Sequence, residues 1–146
     1  MPLKLTLKPD ERVVINGCVI RNSNRRHSVT IESPQADVVR GKDLLDHDEA
    51  ATPVKRVYFL IQTALIRADL RDKIVPEIQS QLAVLATVFG PAHVRHVFEA
   101  ANHVSQTDYY RALSELRPLL CREKELLAMS VQRAAAAREA HLAAAP

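Results

Sequence analysis

Asn16-Gly17 stands between two runs rich in β-branched residues, Glu11-Arg12-Val13-Val14-Ile15 and Cys18-Val19-Ile20-Arg21. A two-residue connection between antiparallel strands favours the type I′ turn, which needs φ > 0 at both central positions, and Asn-Gly tolerates that best. The pair therefore predicts a hairpin and commits this part of the chain to antiparallel sheet. Upstream, Leu3 to Lys8 alternates with a period of two, placing Leu3, Leu5 and Leu7 on one face and Lys4, Thr6 and Lys8 on the other. Pro9-Asp10 supplies turn chemistry between the two segments. Asn22 to Arg26 reads as a polar loop, and His27 to Glu32 as a strand with Val29 and Ile31 inward, closed by Pro34. Asp37-Val38-Val39-Arg40 is a fifth strand, broken by Gly41.

Five strands in about forty residues hide too small a share of their surface to be stable alone. Support must come from the rest of the chain or from a second copy, and pairing with a twin also removes exposed strand edges. From Thr52 the apolar period changes to about 3.6. Thr52 is an N-cap with Pro53 at the first helical position, followed by Val54, Val57, Tyr58, Ile61 and Leu65 at helical spacing. A second helix, capped by Asp69 or Asp72, carries Ile78, Leu82, Leu85 and Phe89. It needs Pro76 in its first turn and stops at Gly90-Pro91. A third carries Val94, Val97, Phe98, Ala101 and Val104. A fourth restarts after Ser105 to Asp108 with Tyr109, Tyr110, Leu113, Leu116 and Leu120, and is expected to kink or break near Pro118. The alanine-rich end is helix-prone with little to bury, suited to fraying or docking.

The expected class is α+β: a small antiparallel β module of about five strands, then a bundle of about four helices. The expected divisions are a β module at 1–48, a helical domain at 49–130 and an alanine-rich tail at 131–146. With 47% hydrophobic and 25% charged residues the composition is that of a soluble globular protein. No apolar run approaches the ~18 residues that cross a bilayer, and the start of the chain lacks the apolar block of a signal peptide, so a cytoplasmic protein with no membrane role is expected. Cys18 and Cys121 lack metal or disulfide spacing and are expected as small buried apolar groups.

No phosphate-cradling glycine loop, nucleophile elbow or metalloprotease helix is present, so the expectation is a protein that is not an enzyme and needs no cofactor. His93, His96 and His103 share one side of a helix but have no carboxylate or thiol at ligand spacing, so no metal is assigned. The informative asymmetry is charge. Residues 1–45 hold eight Lys/Arg against five Asp/Glu, whereas residues 46–146 hold twelve of each. Lys4, Lys8, Arg12, Arg21, Arg25, Arg26, Arg40 and Lys42, joined by Thr6 on the first strand, can line the rim of a small sheet. Such a rim suits a nucleic-acid backbone, because cations that neutralise phosphates release counterions. All six Phe and Tyr lie between Tyr58 and Tyr110. The β module therefore has no aromatic platform for base stacking, and contact must run through arginine forks, backbone groups and aliphatic edges. The helices are charge-balanced and none is a basic recognition helix, which argues against DNA.

These residues also carry a resemblance. Met1 to Pro9, Val13 to Gly17, Val19 to Asn22, the Thr52-Pro53 helix start with Tyr58-Phe59, and Asp108-Tyr109-Tyr110-x-Ala112-Leu113 resemble the FlbT family of flagellin regulators. The resemblance implies post-transcriptional control of flagellin synthesis through the 5′ untranslated region of flagellin mRNA. Repression with faster decay is the usual outcome, and activation is ascribed to some members. It also implies FlaF as a protein partner, with flagellin as a second candidate. The β module is in addition similar to CsrA, an interleaved RNA-binding dimer in which the first strand of one protomer lies beside the fifth of the other. Leu5-Thr6-Leu7-Lys8 with Asp10-Glu11, and Val38-Val39-Arg40, carry that similarity. It implies a homodimer with Arg40 and Lys8 as contacting residues. Leu7 stands where that family has an arginine and Gly41 where it has a glutamate; these departures bear on that family's GGA specificity and leave binding by the basic rim untouched. A second reading of the chain is an adaptor or chaperone directed at flagellin or FlaF, with indirect effects on RNA, using the tail or the Val94–Val104 face.

Overall fold

The computed structural model describes residues 2–144; Met1 and the last two positions of the alanine-rich tail lie outside the described residues. Five strands precede four α-helices, so the expected α+β class is the observed one. The strands are β1 (Leu3–Leu7), β2 (Arg12–Ile15), β3 (Cys18–Arg21), β4 (His27–Ile31) and β5 (Val38–Arg40). Asn16 and Gly17 take φ of 50° and 80°, as the type I′ hairpin between β2 and β3 requires.

The strands form two sheets, where a single one was assumed for the basic rim. β1 pairs with β4, while β2 lies between β3 and β5, all antiparallel. The division arises at Pro9-Asp10. Asp10 adopts φ 59°, and its amide donates to the Ser23 carbonyl at 2.8 Å. The Asn22 side-chain amide then ties down the carbonyls of Leu7, Lys8 and Arg25. The chain is turned out of the first sheet before β2 begins.

Each face of the central sheet has its own cover. Val13, Ile15 and Val38 pack on Leu5, Leu7 and Ile31 of the β1/β4 layer. Val14 and Val39, opposite each other in register, join the helical core. That core therefore continues across residue 48. The contact between the two sheets is incompletely closed: Leu3 of β1 is 47%, Val29 of β4 40% and Ile20 of β3 41% exposed. Val29, expected inward, shares a face with buried Leu5, but it stands outside the cluster packed between the two sheets and stays exposed.

Helix α1 (Pro53–Ile66) starts as the sequence indicates, with the Thr52 hydroxyl accepting from the Lys55 amide. It buries Val54, Val57, Tyr58 and Ile61. Helix α2 (Arg71–Leu85) departs from expectation at its start: Leu70 is the N-cap, without a side-chain hydrogen bond. A 3-10 turn over Ala68–Leu70 leads directly into it, so neither Asp69 nor Asp72 caps it. Pro76 then falls in the second turn, and the carbonyl it leaves without a helical donor belongs to Asp72, which is exposed to solvent. The stripe Ile78, Leu82, Leu85 and Phe89 is buried as expected.

Helix α3 (Pro91–Ser105) buries Val97, Ala100 and Val104, but Phe98 is 60% exposed, contrary to its place on the expected stripe. Helix α4 runs unbroken over Tyr109–Ala144 with Pro118 inside it. Leu113, Leu116 and Leu119 are buried on both sides of that proline, so packing holds the helix through a position where propensity would end it. Cys18 and Cys121 are both exposed, not buried; every residue of β3, Cys18 included, is exposed. Among the described residues no helix is long and apolar enough to cross a membrane.

The segment between sheet and bundle is held at several points. Gln62 brackets Leu45, accepting from its amide and donating to its carbonyl, each at 2.9 Å. The Tyr58 hydroxyl donates to the Asp43 carbonyl. The Asn16-Gly17 turn also abuts the end of α1, where a Cβ on Gly17 would stand 2.8 Å from the Leu65 carbonyl oxygen.

Candidate nucleic-acid interface

Three of the expected cations meet in one place. Lys8 follows β1, Arg40 ends β5, and Lys42 sits in the 3-10 turn Gly41–Asp43. Together with Glu11, which precedes β2, they line a depression of about 350 Å³. The short β5 and the sharp turn at Gly41 bring Arg40 and Lys42 to the end of β1, across a sequence gap of more than thirty residues. Gly41 has a steric reason: a Cβ there would lie 2.8 Å from the Arg12 carbonyl oxygen and 3.1 Å from the Glu11 side chain.

Glu11 is the organiser of the depression. Its Oε1 accepts the Lys8 backbone amide at 2.9 Å. Its Oε2 accepts Arg40 Nε at 3.4 Å and Nη2 at 3.3 Å. The Lys8 amide, and then the Arg40 guanidinium, hold the carboxyl below its ordinary range against the opposing effect of burial. Arg40 Nη2 also donates to the Thr6 carbonyl at 2.9 Å, so one guanidinium links the two sheets. Its side chain remains 33% exposed and that of Glu11 14%. Sequence reasoning directed at cations passes over Glu11 as part of this site. Its signal is the Lys8-Pro9-Asp10-Glu11 spacing, which lets a carboxylate close back on the turn it follows.

The other expected residues are placed differently. Lys4 and Thr6 are exposed on the β1 face away from Leu5 and Leu7. Arg12 is engaged by Asp46 at 2.6 Å. Arg12 pairs in register with exposed Arg21, whereas Arg40 pairs with Val13, so Arg12 and Arg21 lie on the opposite face of the sheet from Arg40. Arg25 and Arg26 are exposed in the loop before β4 and do not line the depression.

Among the described residues no group of three or more His, Cys, Asp or Glu is placed to hold a metal. His96 instead meets Glu115 of α4, with Nδ1 2.9 Å from the carboxylate. That partner comes from another helix, outside the reach of local spacing.

Residues 3–127 match the family model described as "Flagellar protein FlbT". The chain belongs to the FlbT family. It is 37% identical over 130 residues to the "Probable flagellum biosynthesis repressor protein FlbT" of Rhodopseudomonas palustris, covering 87% of this chain and 98% of that relative. It is 33% identical over 128 residues to the "Flagellum biosynthesis repressor protein FlbT" of Caulobacter vibrioides, covering 87% of this chain and 90% of the other. No solved structure matches it. The FlbT match takes in both sheets, the Lys8, Glu11, Arg40 and Lys42 depression and α1 to α3. The projecting end of α4 lies beyond it.

Proposed function

We propose that this chain represses flagellin synthesis after transcription, by holding the 5′ untranslated region of flagellin mRNA on its β module and so limiting translation and lifetime of the message. The observation that carries this reading is the convergence of Lys8, Arg40 and Lys42 on one depression, in a chain whose relatives are named flagellum biosynthesis repressors. The exposed Lys4 and Thr6 extend the same rim along β1, and Arg25 and Arg26 offer further phosphate contacts from the loop before β4; Arg21, on the other face of the central sheet, stands apart from this rim. No enzyme chemistry is invoked: binding alone blocks or exposes a message.

A homodimer fits the strand arrangement. β1 has β4 as its one strand neighbour and β5 has β2, so each presents an edge to which a second copy can add its β5 or β1. Leu3 and Val29 of the β1/β4 layer and Ile20 of β3 are exposed apolar groups that such pairing can cover. FlaF is the proposed protein partner, received by the helical part.

Gel retardation of flagellin leader RNA tests the assignment. A base-reading arginine is worth ~1–3 kcal/mol, so Arg40→Ala weakens binding clearly and Arg111→Ala, on α4, does not. Equal affinity of both variants and the parent removes the site. Solution mass, with and without leader RNA, tests the dimer.

One observation favours a second reading as an adaptor. The end of α4 exposes Leu127 and Val131, in line with a slot lined by Leu45, Lys55, Leu120 and Leu127, and suits an amphipathic partner helix. The Val94–Val104 face is taken up inside the bundle by Val97 and Val104. A complex with FlaF or flagellin that survives ribonuclease, together with no retardation of leader RNA, selects this reading.

A further inference from the structure

A carboxylate on the floor of a basic depression is unfavourable to phosphate. Phosphate oxygens are acceptors only, as is an ionised Glu11, and the two repel. A site built for backbone contact alone gains nothing from such a group, yet here it is enclosed, held by Lys8 and Arg40, and fitted against Gly41. Its bonds also leave capacity. A carboxylate offers about four acceptor positions; the Lys8 amide takes one on Oε1, and Arg40 takes those on Oε2. Oε1 thus has an acceptor position to spare, on a residue that lines the depression together with the donors Lys8, Arg40 and Lys42.

We infer that Glu11 makes this depression selective for unpaired bases that carry an exocyclic amino group. The inference rests on the RNA reading of the same site. An amino group donates to the free Glu11 oxygen while Arg40 meets an acceptor beside it on the base edge, the pairing by which a carboxylate reads the cytosine N4 amine; Lys42 meets the backbone phosphate. Uracil has no amino group. Its ring N–H lies between two carbonyl oxygens, both of which approach the carboxylate with like charge. The ribose 2′-hydroxyl also donates, but it is present on every nucleotide and confers no choice among bases.

The test uses the full chain and fluorescence anisotropy with labelled oligo(C) and oligo(U) of equal length at low salt. The parent binds oligo(C) about tenfold more tightly than oligo(U), the order expected for one base contact. An oligo(C) carrying N4,N4-dimethylcytosine, which has no N4 hydrogens, binds the parent like oligo(U). Glu11→Gln binds oligo(U) more tightly than the parent does and loses most of the preference, while Glu11→Asp retains part of it. Lys42→Ala weakens both oligomers alike and leaves their ratio unchanged. A parent that binds RNA but treats cytosine, dimethylcytosine and uracil alike overturns the inference and leaves the RNA reading standing. So does a folded Glu11→Gln protein with the parental ratio. Absence of binding to either oligomer overturns both. The dimethyl probe needs no variant, so the outcome does not depend on how well a substituted chain folds.

Discussion

The Glu123 carboxylate of α4 accepts hydrogen bonds from the Thr52 hydroxyl and, at 2.9 Å, from the Val54 amide at the first turn of α1. The start of one helix is thus capped by a residue some seventy positions away. Glu123 is 8% exposed and, with Thr52, lines the slot between the start of α1 and α4. Glu123→Ala is expected to lower stability by ~1–3 kcal/mol, since a buried amide and a half-buried hydroxyl lose their acceptor, and Glu123→Gln by about half as much. Urea unfolding followed by circular dichroism gives both numbers; unchanged midpoints refute the cap.

Two glycines separate conformational need from convenience. Gly17 has φ 80° and a backbone carbonyl where its Cβ would stand, so Gly17→Ala is expected to cost ~1–3 kcal/mol. Gly90 is the N-cap of α3 with φ −74° and nothing within 4 Å of a Cβ. Gly90→Ser there supplies a capping oxygen and stiffens the unfolded chain, for a gain of about 0.5 kcal/mol. Thermal melts of the two variants should move in opposite directions.

Stability should weaken in acid through Glu11. Its folded pKa is lowered below the ordinary 4.5 by the Lys8 amide and Arg40, so the folded state binds that proton less readily than the unfolded state does. The resulting stabilisation is fully present above about 4.5 and is lost as pH falls through the lowered folded value. Melting temperatures of parent and Glu11→Gln should therefore differ most near neutrality and converge in acid. A gap that stays constant with pH would falsify this.

Phosphate contact has its own signature. Lys42→Ala and Lys8→Ala are each expected to lower the slope of log affinity against log salt by about 1 for leader RNA, whereas Lys73→Ala, on α2, leaves it unchanged. Titrations at several salt concentrations measure it. Equal slopes for all four proteins would place the RNA elsewhere.

Much of this architecture is legible along the chain because its causes are local. Alternation in β1, the Asn16-Gly17 turn and the Thr52-Pro53 helix start depend on residues within a few positions of one another, and each lies where its chemistry puts it. Expectations failed where distant contacts override local preference. Pro118 does not end α4, because Leu116 and Leu119 pack on either side of it. Phe98 and Val29 fit an apolar period yet remain exposed, since periodicity names a face without saying whether a neighbour covers it.

The candidate site shows the same division. Residue order alone determined that the positive charge gathers before residue 45 and that no aromatic group accompanies it. Only the folded chain decided that Lys8, Arg40 and Lys42 meet, that Arg12 is spoken for by Asp46, and that Glu11 stands among them. Which charges become neighbours is set by how two sheets cross and where Gly41 lets the backbone turn, and those are properties of packing between segments far apart in sequence.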